Sequence, residues 1–200
     1  MKIPIKTQCP KCGRELDLFI RLDEAEIHDS CECGEALNAT LQGFTVGDKL
    51  LSRGRYEFYH NSDYSLCIVF SATAMECELS RLYFKWTRAT PPFPTDSEIE
   101  ESLRRFRNVA SRIDEVTKLM KPIGITGFVA ANTAIANAIK KDFPSFDMND
   151  LSQSFQRELF WPRNRILHLG QTGFDTKQAE HCFNIASLGL TILQMMENQP

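Results

Sequence analysis

The stretch Tyr64–Trp86, YSLCIVFSATAMECELSRLYFKW, bears most directly on the fold. Its apolar side chains recur at intervals of three and four residues, at Ala72, Met75, Leu79, Leu82, Tyr83 and Trp86. Because that spacing lines one face of a helix, it predicts a long helix over about residues 63–88 with one buried side. Glu76 interrupts the apolar face, where a carboxylate is costly unless a cation pairs with it. The alternative is that Glu76 lies at the edge of this face and reaches water.

Helical patterns continue on the C-terminal side of this stretch. Prolines in RATPPFPTDS end the first helix, and further helices are predicted over about 97–120, 127–142 and 149–160. Pro162 suits the first residue of another helix, which Gly170 and Gly173 would end, and a last helix is predicted over about 176–197. Residues 46–200 are therefore predicted to form an α-helical bundle, which makes the protein mainly α.

Residues 1–45 have a different residue pattern. Short runs in which apolar and polar residues alternate, such as ELDLFIRL and ALNATLQGF, predict strands. They also contain two cysteine pairs, Cys9-x2-Cys12 and Cys31-x-Cys33, separated by 18 residues and each followed by a glycine. Four thiolates in two tight turns are suited to tetrahedral zinc in a structural role, with no position left open for catalysis. The segment resembles a zinc ribbon, although its second pair is CxC where CxxC is usual. His28 therefore remains an alternative ligand.

Charge and composition narrow the classes of function. Residues 1–45 contain five basic and eight acidic residues, so this module should repel phosphates and is better suited to folding or to protein contact. Residues 46–200 contain 18 of each sign, which argues against a DNA-binding regulator. The chain has no apolar run of membrane-spanning length and no apolar secretion signal, and its other cysteines stand singly. We expect a cytoplasmic protein with reduced thiols.

The segment 160–170, FWPRNRILHLG, concentrates nitrogen-bearing side chains in a core-like stretch. On a helix beginning near Pro162, Ile166 and Leu169 share the face directed to the core, whereas Asn164 and His168 share the opposite face. Arginines at 163 and 165 flank that polar face, close to a predicted helix N-terminus that would itself attract anions. An imidazole beside a cation suits cleavage of RNA by its own 2′-OH, a reaction that needs no metal.

The run Arg163-Asn164-Arg165-Ile166-Leu167-His168 resembles the motif of the HEPN family, the "higher eukaryotes and prokaryotes nucleotide-binding" helical domains. The resemblance extends over about residues 48–197, because the motif follows several helices and precedes the last one, as in that family. It implies a metal-independent endoribonuclease, often a toxin or defence effector, whose site is shared by two copies of the chain. Arg163 and His168 would be essential, Asn164 supporting, and Glu76 would pair with Arg163 as the acidic residue of an early core helix.

Other interpretations stay open at this stage. One is a catalytically inactive HEPN-like dimer that binds a nucleotide or a protein partner, with the zinc ribbon as the docking module. For an active toxin-like nuclease, the expected protein partner is an antitoxin. The helix around LRRFRNVASR also carries four arginines that we expect on a solvated face, namely Arg104, Arg105, Arg107 and Arg112. His181 is expected to be a partly buried histidine without a catalytic role.

Overall fold

The N-terminal segment forms two antiparallel hairpins in the computed structural model, which describes residues 2–9, 11–21, 26–40 and 45–198. The side chains of residues 2–7, 17–21, 26–29 and 37–40 lie outside this description, as do residues 41–44 at the end of the strand run predicted from residue 36. Strand β1 (Lys2–Gln8) pairs with β2 (Glu15–Arg21), and β3 (Glu26–Ser30) pairs with β4 (Ala36–Thr40). The cysteine pairs lie at the turns of these hairpins.

The described residues from 45 onward are mainly helical, as predicted. The helices are α1 (Val46–Tyr56), α2 (Tyr64–Arg88), α3 (Asp96–Arg104), α4 (Val109–Met120), α5 (Gly124–Ala131), α6 (Thr133–Asp142), α7 (Leu151–Phe155), α8 (Trp161–Leu169) and α9 (Thr176–Asn198). Two five-residue π-helical segments, Glu57–Asn61 and Gln156–Phe160, follow α1 and α7 directly. No helix in this part of the chain is long and apolar enough to cross a bilayer.

Helix α2 forms the centre of the core and matches the predicted helix closely. Its apolar face is buried against α1, α4 and α9, with Ala72, Met75, Leu79 and Leu82 fully inaccessible to solvent. Helix α1 approaches α2 closely at Gly47, where an added Cβ would lie 2.9 Å from the backbone oxygen of Ala74. The long helices are therefore fixed by a continuous apolar interior.

Two of the predicted helices are interrupted. Residues 105–108 separate α3 from α4, and Asn132 separates α5 from α6, although apolar side chains keep their helical spacing across both breaks. In each case an asparagine side chain accepts a hydrogen bond from the backbone N–H of the residue three positions later. The N–H of Ser111 donates to Asn108 Oδ1 at 2.8 Å, and the N–H of Ile135 donates to Asn132 Oδ1 at 3.3 Å. An N-cap of this kind starts a new helix, so the single helices predicted over 97–120 and 127–142 are wrong at these points.

The boundary predicted at Pro162 is also wrong, because the chain is helical without interruption from Leu151 to Leu169. Proline has no N–H for the carbonyl of Glu158, four residues earlier. A thiol from α9 compensates, with Cys182 Sγ donating to that carbonyl at 3.5 Å, while the N–H of Trp161 bonds five residues back to Gln156. The π-helical segment thus allows the helix to continue through the proline. Pro162 therefore does not lie at a free helix N-terminus that could attract an anion.

Candidate functional site

The four N-terminal cysteines form a cluster with the dimensions of a zinc site. Their sulfur atoms all lie within 4.8 Å of one another, with Cys9 and Cys33 3.6 Å apart and Cys12 and Cys31 also 3.6 Å apart. Zinc–sulfur bonds of about 2.3 Å in a tetrahedron place the sulfurs about 3.8 Å apart. The spacing therefore fits a tetrahedral zinc ion.

Hairpin turns position these cysteines. The N–H of Gly13 donates to the Cys9 carbonyl at 2.9 Å, and the N–H of Gly34 donates to the Cys31 carbonyl at 2.8 Å. Both glycines have a left-handed backbone, with φ of +71° and +82°, which other residues adopt at a cost. The glycine after each cysteine pair therefore closes the turn, as the sequence predicted.

Two thiols of this cluster, those of Cys9 and Cys33, have pKa values shifted in opposite directions. Backbone N–H groups of Cys12 and then Lys11 lower the pKa of Cys9 to about 7, against the effect of desolvation. At Cys33 the backbone N–H of Glu35 also lowers the pKa, but desolvation and the neighbouring thiols outweigh it and raise the pKa to about 12. Four thiolates cannot share this space without a cation, so the donor set fits a closed, structural zinc site. The side chain of His28, the alternative ligand, lies outside the described part of the structure.

The helical part brings Glu76 and Arg163 into direct contact across 87 residues of sequence. Arg163 Nη2 donates to Glu76 Oε2 at 2.7 Å, and each side chain is 20% exposed. Glu76 thus forms the ion pair that the HEPN resemblance implied instead of reaching into solvent. Because both groups are largely desolvated, their attraction is stronger than that of a surface pair.

Asn164 and His168 extend this arrangement along α8. Arg163 Nη1 donates to Asn164 Oδ1 at 3.0 Å, so the guanidinium is fixed between a carboxylate and an amide. His168 is exposed and follows Asn164 by one turn, and both line a cavity of about 490 Å³ with Trp161, Arg165 and Leu169. Arg163 therefore contacts both Glu76 and Asn164, and His168 shares a cavity with Asn164.

Helix α8 lies at the surface, and the prediction that Ile166 and Leu169 both face the core is wrong for Leu169. Ile166 is partly buried against the core, but Leu169 is 76% exposed and no residue of α8 is buried. Trp161 and Leu167 are also well exposed, at 64% and 50%. Leu169 lies outside the core because Gly170, with a φ of +62°, ends the helix there and the chain turns away. His168 is thus surrounded by an exposed apolar surface formed by Trp161, Leu167 and Leu169.

The prediction that Arg112 lies on a solvated face is wrong. Arg112 is half-buried and lines a second cavity, of about 970 Å³, together with Glu76. The sequence pattern could have predicted this burial. Arg112 lies three residues after Val109 and four before Val116, a spacing that places it on the same face of α4 as these two apolar residues. The other three arginines of that segment are exposed, as expected.

His181 is partly buried, as the sequence predicted. It lies on α9, and its Nε2 lies 3.3 Å from Glu158 Oε2. It does not line the cavity that holds His168. It therefore offers a matched control for experiments on that residue.

Comparisons with known proteins find no matching family model, no matching curated protein and no matching solved structure. A cluster of four cysteines suited to zinc, followed by a mainly helical domain, is what the chain shows. The resemblance to HEPN domains rests on the motif at 163–168 and stays a prediction.

Proposed function

We propose that the helical domain is a metal-independent endoribonuclease of HEPN type. The observation that carries the proposal is the Arg163 guanidinium held between Glu76 and Asn164, one turn before an exposed His168. Transesterification of RNA requires a fixed cation and an accessible imidazole, and α8 carries both. No metal has to take part, because the RNA supplies its own nucleophile.

In the proposed reaction, the 2′-oxygen of one ribose attacks the adjacent phosphorus. The imidazole of His168 accepts the 2′-OH proton, the P–O2′ bond forms and the P–O5′ bond breaks. The remaining N–H bonds of the two Nη atoms of Arg163 stabilise the negative charge on the pentacoordinate phosphorus, while Glu76 keeps the guanidinium oriented. The products are a 2′,3′-cyclic phosphate and a 5′-OH end.

The leaving 5′-oxygen needs a proton, which a second copy of the chain would supply through its own His168. The exposed apolar side chains around this residue, Trp161, Leu167 and Leu169, favour such a homodimer. Dimerisation would also bring four arginines together, two at position 163 and two at 165. Positive charge would then be concentrated locally, although residues 46–200 carry 18 basic and 18 acidic residues.

The cysteine module has a supporting part in this proposal. Zinc would hold Cys9, Cys12, Cys31 and Cys33 together and stabilise the two hairpins. The acidic balance of the module makes it better suited to binding a protein, such as an antitoxin of a toxin-like nuclease, than to binding RNA.

The test compares wild type with His168→Ala on a structured RNA in the presence of EDTA, with His181→Ala as the matched control. We expect cleavage to fall by at least about 100-fold in His168→Ala, since general acid–base groups contribute about 10²–10⁴-fold. His181→Ala should keep its activity, and the fragments should end in a cyclic phosphate. Intact RNA after incubation with wild type, or equal cleavage by His168→Ala, would refute the proposal.

A second candidate is a catalytically inactive HEPN-like dimer that binds a nucleotide or a protein partner. The exposed apolar surface around His168 favours it, since that surface suits a contact whether or not chemistry occurs. Leu169→Glu would then abolish dimerisation in analytical ultracentrifugation, while no RNA would be cleaved by any variant.

A further inference from the structure

The larger cavity lies along α2, beside the ion pair of Arg163 and Glu76. Helix α2 lines it with Thr73, Glu76, Cys77, Ser80 and Phe84, and α4 contributes Arg112. Its volume of about 970 Å³ is well above that of a single side chain and is sufficient for part of an extended polymer. It therefore lies where a substrate strand could extend from the proposed reaction site.

Most of the charges that line this cavity are already paired. Arg163 binds Glu76, and Arg81 binds both Glu78 and Glu197. The remaining pairs are Lys85 with Glu197 and Arg88 with Asp96. These pairs leave little net charge from the carboxylates to repel an anion.

Arg112 differs from these residues. Its side chain makes no hydrogen bond or ion pair with the described residues, and its Nε is inaccessible to solvent and has no acceptor. Buried donors in folded proteins nearly always have a partner, and an unpaired half-buried charge is costly. An anion bound in the cavity would not reach the enclosed Nε, but it would pair the charge through the Nη groups, which also have no partner among the described residues.

The hydroxyl groups in the cavity do not compete for this role. Thr73 Oγ1 donates to the carbonyl of Val69 at 2.8 Å, and Ser80 Oγ donates to the carbonyl of Glu76 at 2.9 Å. The hydroxyl protons of Thr73 and Ser80 are therefore already used in hydrogen bonds to backbone carbonyls of α2. Arg112 is the unpaired cationic donor among the described residues that line the cavity.

We propose that Arg112 binds a backbone phosphate of the RNA, next to the phosphate that is cleaved, and that the cavity along α2 holds this part of the strand. The inference rests on the proposed function. A guanidinium matches a phosphate through two parallel N–H···O bonds, and the Phe84 ring in the cavity wall offers an apolar surface for a ribose or a base. Arg112 would position the substrate and would not touch the reacting atoms.

The experiment measures binding and cleavage separately, with Arg112→Gln and the control Arg107→Gln. Arg107 precedes the same helix and is exposed, so its substitution removes the same charge outside the cavity. Binding is followed by fluorescence anisotropy at several salt concentrations, using an RNA whose 2′-OH groups are methylated and which cannot be cleaved. Cleavage is followed with the unmodified RNA of the same sequence.

We expect Arg112→Gln to bind the methylated RNA about tenfold more weakly, because a charge-assisted bond to phosphate is lost. The slope of log K against log salt concentration should fall by about 0.7, the value for one phosphate contact on a single strand. KM should rise with little change in kcat, and Arg107→Gln should resemble wild type. Thermal melting monitors folding, and Arg112→Lys should recover part of the affinity because it restores the charge.

The outcomes separate this inference from the proposed catalysis. Equal weakening by both substitutions, or an unchanged salt slope in Arg112→Gln, overturns the role of Arg112 even if wild type cleaves RNA. Binding that depends on Arg112 in a protein that cleaves no RNA supports the site and refutes the nuclease. A wild type that binds no RNA at all overturns the inference.

Discussion

At the scale of single residues, Glu76 and Arg163 each carry a charge that the helical bundle accommodates because the other is present. Each side chain is 20% exposed, and their atoms lie 2.7 Å apart. Removing one partner leaves the other desolvated and unpaired, which costs more than the pair itself contributes. The pair is therefore important for stability and for the orientation of Arg163.

Glu76→Gln should lower the free energy of unfolding by about 1.5–3 kcal/mol, the range for a hydrogen bond to a charged group. Arg163→Gln should cost a similar amount, and the double variant should cost less than the sum, with a coupling energy of at least about 1 kcal/mol. Urea denaturation of the four proteins measures these values.

Glu101→Gln is the matched control, because Glu101 pairs with Arg105 at 2.6 Å in a fully exposed position. Exposed pairs contribute about 0.2–1 kcal/mol, so this substitution should change little. Strictly additive effects at positions 76 and 163 would show that the contact does not contribute in solution.

At the scale of helices, the last turn of α9 is attached to α2 through one carboxylate. Glu197 accepts hydrogen bonds from Arg81 and Lys85, and these interactions, led by Arg81, lower the pKa of Glu197 despite partial burial. A lowered pKa in the folded state means that the charged form stabilises the fold. This stabilisation is present above the pKa of about 4.3 for an unfolded glutamate and is lost as pH falls through the lower folded value.

Glu197→Gln should therefore be less stable than wild type by about 1–3 kcal/mol at pH 7. The difference should shrink as the pH falls below about 4.3, because wild type then loses the same interaction. Urea denaturation between pH 3 and 7 tests this, with Glu180→Gln on the exposed side of α9 as the control. A difference that is independent of pH would contradict the assigned role of the carboxylate.

At the scale of the whole molecule, the two hairpins and the helices depend on different sources of stability. The helical part buries a large apolar core, whereas the hairpins are two-stranded units that are marginal in water without a further constraint. Zinc bound by the four cysteines would supply that constraint.

Removal of zinc with a strong chelator should unfold the hairpins and leave the helical circular-dichroism signal largely intact. The number of rapidly reacting thiols should rise by four, because the other three of the seven cysteines lie in the helical part and are buried or partly buried. Burial raises the pKa of Cys67 to about 11 and that of Cys182 to about 12, which keeps these thiols protonated and unreactive.

Cobalt substitution gives a second measurement, since tetrahedral thiolate ligation has intense absorption bands. Cys12→Ser should weaken these bands, whereas Cys77→Ser should leave them unchanged. Failure to bind zinc or cobalt at all would exclude a metal site at the cysteine cluster.

Features that depend on neighbouring residues could be predicted from the amino-acid sequence alone. The cysteine pairs with their glycines predicted both turns and the four-sulfur cluster, because two short segments contain all the ligands and the turn residues. The apolar spacing of α2 predicted its length and buried face, and α9 was predicted in the same way. With the HEPN resemblance added, it also predicted that Arg163 would meet Glu76.

Features that depend on contacts between residues distant in sequence could be seen only in the folded chain. The Cys182 thiol from α9 supports the helix at Pro162, which removed the predicted helix start. Packing of α4 against α2 placed Arg112 in the cavity beside Glu76, and the end of α8 left Leu169 in solvent. Periodicity specifies which face of a helix is apolar, but not which helix covers it or where that cover ends, because these follow from the packing of the whole core.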